Sequence, residues 1–316
     1  MNQTATPKTL LSIVCPVYNE ELAIPLFYER MRAVLLGMPE VDYEIIFTNN
    51  RSHDSSLDKI RTLRENDPKV HYLTFSRNFG YQASILAGLT HARGDISVII
   101  DVDCEDPPEM IPKFVAKWRE GHDICYGIRG KRDEAEWITS LRYLFYRILK
   151  LTADTDIILD MAEFSLLARH VRDVIVKNAS TFPFLRAEIA YSGFRKIGIP
   201  YDRQRRIIGQ SNYNLKGMAI FAIAGIMAVS TFPLRAAAYF FPLAVALNIG
   251  LLLADAIWGF ATIKYIITFD LLYATFMLAA QGLYIARIYK NGIGRPVYIV
   301  DWDLSDARLT LGQRLA

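Results

Sequence analysis

The chain has 316 residues, of which 52% are hydrophobic, and its 36 basic and 33 acidic side chains leave a formal charge of +3. This balance excludes a nucleic-acid-binding protein that works by neutralising phosphates, and the three cysteines lack metal-ligand spacing. The hydrophobic share exceeds that of a typical soluble protein, so we expect part of the chain to lie in a membrane. The polar N-terminus lacks the regions of a cleaved signal, which predicts that it stays in the cytosol.

The N-terminal third of the chain alternates apolar runs with amphipathic stretches. The predicted strands are LSIVCPV, YEIIF, VHYLTF and DISVIID, and the intervening helices are predicted to end near Leu36, at Leu63 and at Thr90. Because the strand runs are continuously apolar, we expect helices to cover both faces of the sheet. The pattern predicts a doubly wound α/β fold, Rossmann-like, whose ligands bind at the carboxyl ends of the strands.

Two long apolar segments, 236–260 and 266–288, mark the C-terminal third. Each is long enough to cross a hydrocarbon layer of about 30 Å, which takes about 20 helical residues. Buried core helices are the alternative, but two such segments in tandem favour a transmembrane hairpin. Basic residues flank the pair at Arg235, Arg287, Lys290 and Arg295. The positive-inside rule therefore predicts that both ends are cytosolic.

Acidic residues inside these apolar segments are costly in lipid. We expect Asp255 to face a neighbouring helix or subunit. This expectation is compatible with a homo-oligomer, either a dimer or a tetramer. Asp270 is expected near a membrane interface.

Two further segments have an interfacial composition. Residues 137–152 mix Leu, Phe and Tyr with arginines, and residues 215–232 are apolar but interrupted by glycines. Core packing is the alternative for both. The predicted organisation is a cytosolic domain at 1–214 with an interfacial helix at about 137–152, a juxtamembrane helix at 215–232, two transmembrane helices within 236–288, and a cytosolic tail at 289–316.

An acidic stretch, DVDCEDPPE, ends the fourth predicted strand. Asp101 and Asp103 are two residues apart, so on a strand their carboxylates point to one side. Such oxygen ligands suit Mg²⁺ or Mn²⁺ bridging a diphosphate. A D-x-D pair alone is common, and its position at a strand end is what indicates a nucleotide site.

Five motifs occur in a single order along the chain: SIVCPVYNEE, FSRNFGYQASILAGL, DVDCEDPPE, GIRGKRDEAEW and RIYKNGIGRPVYIV. Together with the two apolar segments they resemble the polyisoprenyl-phosphate glycosyltransferases, relatives of dolichol-phosphate mannose synthase within glycosyltransferase family 2. The resemblance covers nearly the whole chain. It implies a nucleotide-sugar domain of the metal-dependent GT-A type, which transfers a sugar with inversion onto a membrane lipid phosphate.

The resemblance also implies roles for residues of the donor site. Pro16, Tyr18 and Glu20 match positions that line the nucleobase and ribose, although Pro16 and Tyr18 could also merely shape the turn. Asn50 stands where the family has an acid that contacts the nucleotide. The implied metal ligands are Asp101, Asp103 and Glu105, with Asp101 also holding the nucleotide. The expected cofactor, Mg²⁺ or Mn²⁺, neutralises charge on the leaving diphosphate.

Two arginine clusters are expected to hold the lipid phosphate, because a guanidinium can bind phosphate oxygens in a bidentate fork. They contain Arg129, Arg132, Arg203, Arg205 and Arg206. A solvated surface charge is the alternative for each arginine. The acceptor phosphate is already anionic at neutral pH, since a second phosphate pKa lies near ~6. A strong general base is therefore less necessary than for a sugar hydroxyl.

Catalytic roles are expected for Asp103, Arg132 and Asp160. Asp160 begins DMAEFSLLAR and matches the first acid of the family motif D-x-G-D-F-R. It is our candidate for orienting the attacking phosphate or the sugar hydroxyls.

Several motifs depart from the family pattern. The turn Asn49-Asn50-Arg51-Ser52 replaces D-D-G-S or N-D-G-S, and Arg51 therefore occupies a glycine position that is expected to need a positive φ. Glu105 replaces Gln, and further changes affect Ala162, Glu163, Ser165 and Asn212. Two explanations remain open: an unusual sugar donor, or a catalytically altered membrane scaffold that binds nucleotide. The intact acids and arginines favour the first.

The sequence therefore predicts an inverting membrane transferase that moves a sugar from a UDP- or GDP-sugar to an undecaprenyl- or dolichyl-type phosphate. It is expected in the bacterial inner membrane with no nucleic-acid partner. A processive polysaccharide synthase is an alternative, but it normally needs more membrane spans and a Q-x-x-R-W signature, which the sequence lacks.

Overall fold

The structure, a computed structural model, describes residues 8–130, 147, 152–154, 158, 161–177, 183–204, 230–258 and 263–306. These residues belong to two compact units. The first unit contains the described residues up to 130, from 158 to 204 and from 296 to 306. The second contains those at 147, 152–154, 230–258 and 263–295.

The first unit is built from strands and helices that largely follow the predicted order. Its strands are β1 (Thr9–Val17), β2 (Val41–Asn49), β3 (Val70–Thr74), β4 (Ile96–Ile99), β5 (Ile124–Arg129), β6 (Met161–Ala168) and β7 (Lys196–Tyr201). Its helices are α1 (Ala23–Leu36), α2 (Ser56–Asn66), α3 (Tyr81–His91), α4 (Ile111–Arg119), α5 (Arg169–Val176) and α6 (Leu185–Tyr191). The first four strands and first three helices were predicted, although β4 is shorter than expected.

The strands form one mixed sheet in the order β3-β2-β1-β4-β6-β5-β7. The first four strands are parallel to one another, whereas β6 lies antiparallel between β4 and β5. The chain winds outward in opposite directions from β1 and β4. Their carboxyl ends therefore flank a topological switch point, where an open α/β sheet places its ligand crevice.

Helices cover both faces of the sheet, as predicted. One core layer joins α1, α2 and α4 to the sheet through fully buried side chains such as Phe27, Ile60 and Phe114. The opposite layer joins α3, α5 and α6 to the sheet through Ile85, Val171, Ile189 and others. The expectation of a Rossmann-like α/β domain is confirmed.

The free edge of β3 is covered by the C-terminal part of the chain. Phe75, directly after β3, forms an antiparallel bridge with Val300, and the amide of Asp301 donates to the carbonyl of Thr74 at 2.8 Å. Residues 296–306 therefore belong to the sheet unit, a placement that their distance along the sequence did not predict.

The second unit contains two long helices, α7 (Phe232–Trp258) and α8 (Ile263–Gly292). By length and composition each could cross a membrane, with mean hydropathies of 2.0 and 1.5. Asp270 accepts hydrogen bonds from the Asn248 amide at 2.9 and 3.1 Å, so its carboxylate has a polar partner on the other helix. The predicted interfacial helix at about 137–152 lies almost wholly outside the described residues, and so does the predicted juxtamembrane helix at 215–232.

Candidate active site

The candidate site lies where β1, β2 and β4 end. Pro16 is buried within β1, while the ring of Tyr18 is 41% exposed and meets His53 edge-on. The backbone of Glu20 is committed to the fold: its amide donates to Ser56 Oγ at 2.9 Å, and its carbonyl accepts from the first turn of α1. Tyr18 therefore offers the exposed aromatic surface at this strand end.

Asn50 is buried at the end of β2, and both polar atoms of its side-chain amide are hydrogen-bonded. Its Nδ2 donates to Asn78 Oδ1 at 2.9 Å, and its Oδ1 accepts from the Phe79 amide at 2.8 Å. The side chain that replaces the family acid thus ties the turn after β2 to the loop after β3. Contact between Asn50 and a nucleotide stays a prediction.

The turn after β2 has the backbone geometry that the sequence suggested. Arg51 has a φ of +59°, in the left-handed region that favours glycine. The Ser52 amide donates to Asn49 Oδ1 at 3.0 Å, and Ser52 Oγ accepts from the Asn19 amide at 3.0 Å. The turn is therefore ordered by side chains although it lacks the usual glycine.

Asp101 follows β4 in a partly buried position. Burial, together with the nearby Asp103 carboxylate, raises its pKa to about 7. The Tyr81 hydroxyl, at the start of α3, donates to Asp101 Oδ1 at 2.7 Å and lowers the pKa in part. A bound cation would stabilise the ionised form of a carboxyl group in this setting, because a nearby positive charge favours the carboxylate.

Asp103 reaches this position through a turn and not through strand alternation. β4 ends at Ile99, and Cys104 adopts a φ of +61°. Asp103 Oδ1 accepts from the Glu105 amide at 3.1 Å, which fixes the carboxylate. The expected pair of acids is present, although the strand that was expected to carry it stops two residues earlier.

The next two acids of DVDCEDPPE are paired with cations inside the protein. Glu105 Oε2 forms an ion pair with Arg203. Asp106 is buried, accepts a short hydrogen bond from Tyr201 and lies 3.5 Å from Arg129. Burial, reinforced by Asp106, raises the pKa of Tyr201. Two arginines expected at the lipid phosphate therefore also neutralise the acidic loop, and their phosphate role stays a prediction.

The carboxylates after β4 fit a cation site that substrate phosphates complete better than a site made of protein ligands alone. Within the described ranges, no three His, Cys, Asp or Glu side chains cluster as a set of metal ligands. Mg²⁺ in phosphate-transfer sites is typically bound by one or two carboxylates together with substrate phosphates. Asp101 and Asp103 match that requirement, whereas Glu105, predicted as a third ligand, forms an ion pair with Arg203.

Two residues near the site, Glu163 and Tyr81, were not among the predicted site residues. Glu163 of β6 is 5% exposed, and its Oε1 accepts from Gln82 at 3.2 Å and faces Arg186 Nε at 2.9 Å. Burial and the nearby Asp101 and Glu163 carboxylates raise the pKa of Tyr81. Tyr81 could have been anticipated, because it opens the helix that follows β3. The predicted residues Arg132, Asp160, Arg205 and Arg206 lie outside the described residues.

Comparison with known proteins identifies the family. The family model described as Glycosyl transferase family 2 matches residues 12–179. The chain belongs to this family. The transferase is 35% identical over 320 residues to YkcC, an uncharacterised glycosyltransferase of Bacillus subtilis (strain 168), covering 96% of this chain and 98% of that one. It is 32% identical over 311 residues to the bactoprenol glucosyl transferase of Shigella phage SfV, covering 92% and 97%.

A solved structure resembles the transferase in fold. Glucosyl-3-phosphoglycerate synthase from Mycobacterium tuberculosis, in complex with phosphoglyceric acid, superposes with a TM-score of 0.50 at 16% identity, covering 70% of this chain and 78% of that one. The predicted family, the glycosyltransferase activity and the GT-A fold are thereby confirmed.

We expect Asp101→Asn to stabilise the cation-free transferase in alkaline solution. The folded pKa of about 7 exceeds the ordinary 3.8, so the folded state holds a proton that the unfolded state has released. The stability that Asp101 contributes therefore falls as the pH rises between these values. Asparagine removes the titration and keeps an oxygen for Tyr81. With a chelator present, its melting temperature should exceed that of the wild type by more at pH 8 than at pH 5. Asp303→Asn, at an exposed position, is the control, and an equal difference at both pH values would contradict the assignment.

Asp106→Asn should destabilise the sheet unit strongly. The change leaves the largely buried Arg129 without its anionic partner, which costs about 3 kcal/mol. Glu109→Gln removes the anionic partner of Arg30 in an ion pair of 2.8 Å that is more exposed than the Asp106–Arg129 pair. This change should lower the free energy of unfolding by less than about 1 kcal/mol. Denaturant unfolding in detergent measures both. Equal small losses would mean that Asp106 is not a structural counter-ion.

Proposed function

We propose that the transferase moves a sugar from a nucleotide-diphosphate sugar to a polyprenyl phosphate at the cytosolic face of a membrane. The observation that carries the proposal is the acidic pair Asp101 and Asp103 at the switch point of the sheet, in a chain that also carries two long apolar helices. The bactoprenol glucosyl transferases, named for a lipid carrier and similar over most of the chain, support the acceptor class.

On the donor side, Asp101 and Asp103 would hold a Mg²⁺ or Mn²⁺ ion. When bound, this ion supplies positive charge against the diphosphate that leaves. Tyr81 keeps Asp101 in position through its 2.7 Å hydrogen bond. The exposed ring of Tyr18 provides a surface on which a base of a UDP- or GDP-sugar can stack.

On the acceptor side, a phosphate oxygen of the lipid forms a bond to the anomeric carbon while the bond to the nucleotide diphosphate breaks. Attack opposite the leaving group inverts the anomeric configuration. The products are a sugar joined to the lipid through a phosphodiester and a nucleoside diphosphate. The acceptor oxygen carries no proton that must be removed at neutral pH, because the second phosphate pKa is near ~6. Orientation of the phosphate by Arg132, Arg206 and Asp160 remains part of the proposal.

The membrane setting completes the proposal. α7 and α8 would cross the bilayer as a hairpin, and the flanking basic residues favour two cytosolic ends, in a bacterial inner membrane. The chemistry would then take place where the lipid phosphate meets the cytosol. A dimer or tetramer through the apolar helices is a further part of this proposal.

A nucleotide-binding scaffold without turnover is the second candidate. It is favoured by Asn50, whose amide is bonded to Asn78 and Phe79 where the family has a nucleotide-contacting acid. The retained acids Asp101 and Asp103 favour transfer over this alternative.

The decisive experiment is sugar transfer by the purified transferase in detergent. The mixture contains Mg²⁺ or Mn²⁺, polyprenyl phosphate and one labelled UDP- or GDP-sugar at a time. We expect label in the organic phase for one donor, a loss of about 100-fold or more in Asp103→Ala, and full activity in Asp303→Ala. Nucleotide binding without organic-phase label for every donor would favour the scaffold. Unchanged transfer in Asp103→Ala would contradict the assigned site.

A further inference from the structure

The motif RIYKNGIGRPVYIV leads from α8 to a segment that the donor and acceptor chemistry does not use. This edge segment, residues 298–306, runs beside β3. The Ser76 amide donates to Ile299 at 3.0 Å, the Asp301 amide to Thr74 at 2.8 Å and the Asp306 amide to Tyr72 at 2.9 Å. The edge segment thus satisfies backbone groups that an exposed edge strand would present to solvent.

Both ends of the edge segment are anchored by buried contacts. Tyr298 stacks on Phe75 with ring centroids 5.5 Å apart. At the other end, Asp306 is 8% exposed and lies 2.9 Å from Arg64 Nε and 2.7 Å from His71 Nδ1. Both ends of the edge segment are therefore anchored without the side chains of its middle residues.

The middle of the edge segment contacts the turn after β2. Asp301 Oδ2 lies 2.9 Å from a terminal nitrogen of Arg51, and both side chains are partly exposed. Arg51 is the residue that adopts a φ of +59°, a conformation that is unfavourable for a residue with a side chain. An arginine at this position therefore carries backbone strain, and its side chain reaches the edge segment.

The same turn is hydrogen-bonded to the loop after β3. Asn50 precedes Arg51 and bonds to Asn78 and Phe79, while the edge segment pairs with Phe75 and Ser76 at the start of that loop. The turn after β2 and the loop after β3 therefore both contact residues 298–306. The short stretch 293–297 joins this segment directly to the apolar helix α8.

We propose that Asp301 of the edge segment is a positioning residue for the nucleotide site, which sets the turn 49–54 through Arg51 and so strengthens nucleotide binding. This inference rests on the proposed function, because it assigns the crevice to a nucleotide. If the segment only covers the sheet edge, the ion pair is dispensable, since the backbone of Asp301 supplies the ladder bond to Thr74.

Asp301→Asn separates these roles, because it keeps the backbone bond and side-chain volume and removes only the charge. UDP and GDP, each with Mn²⁺, are titrated calorimetrically into the full chain in detergent. For the nucleotide that binds the wild type, we expect Asp301→Asn to weaken affinity by about threefold to fivefold. Asp303→Asn, exposed and two residues away, should bind like the wild type. In an Arg51→Gly background, Asp301→Asn should cause no further loss.

Hydrogen exchange of the Ser52 and Phe79 amides provides a second readout that needs no ligand. These amides bond to Asn49 and Asn50, and they should exchange faster in Asp301→Asn than in Asp303→Asn. Failure of the wild type to bind either nucleotide would contradict the proposed function, and the exchange rates would still test the edge segment. Equal affinity and equal exchange in the two variants would overturn the inference, as would an undiminished loss in the Arg51→Gly background.

Discussion

The free-energy cost of placing four carboxylates directly after β4 is the constraint around which the site is organised. Asp106 accepts a hydrogen bond from Tyr201 and is paired with Arg129, and Glu105 is paired with Arg203. Within the described part of the chain, no arginine or lysine forms an ion pair with Asp101 or Asp103, and the pKa of Asp101 rises to about 7. The fold therefore compensates the structural acids and leaves the pair at the switch point with a net demand for positive charge. A divalent cation carrying a diphosphate meets that demand.

The sequence predicted the parts of the fold that depend on local hydrophobic pattern. Continuous apolar runs identified β1 to β4, and the intervening amphipathic stretches identified α1 to α3. It did not predict β6, whose antiparallel position between β4 and β5 is decided by tertiary pairing. Nor did it predict the pairing of Val300 with Phe75, because an edge contact between such distant segments leaves no periodic signal.

At the site, the sequence identified the features that follow directly from the type of a residue and its place in the chain. The two acids Asp101 and Asp103 follow a buried strand, and a positive φ at Arg51 followed from its glycine position. The five acids of DVDCEDPPE look equivalent in sequence, however, and only the fold shows that Asp106 faces Tyr201. The role of Asn50 was equally hidden, since its partners Asn78 and Phe79 lie on the next strand's loop.

We expect a divalent cation to bridge the carboxylates after β4 and a nucleotide diphosphate. Electron–nuclear double resonance of Mn²⁺ bound to the purified transferase with UDP or GDP detects such a bridge. It should show phosphorus hyperfine coupling to the bound manganese in the wild type and its loss in Asp103→Ala. Manganese that shows no phosphorus coupling, or coupling that persists unchanged in Asp103→Ala, would contradict it.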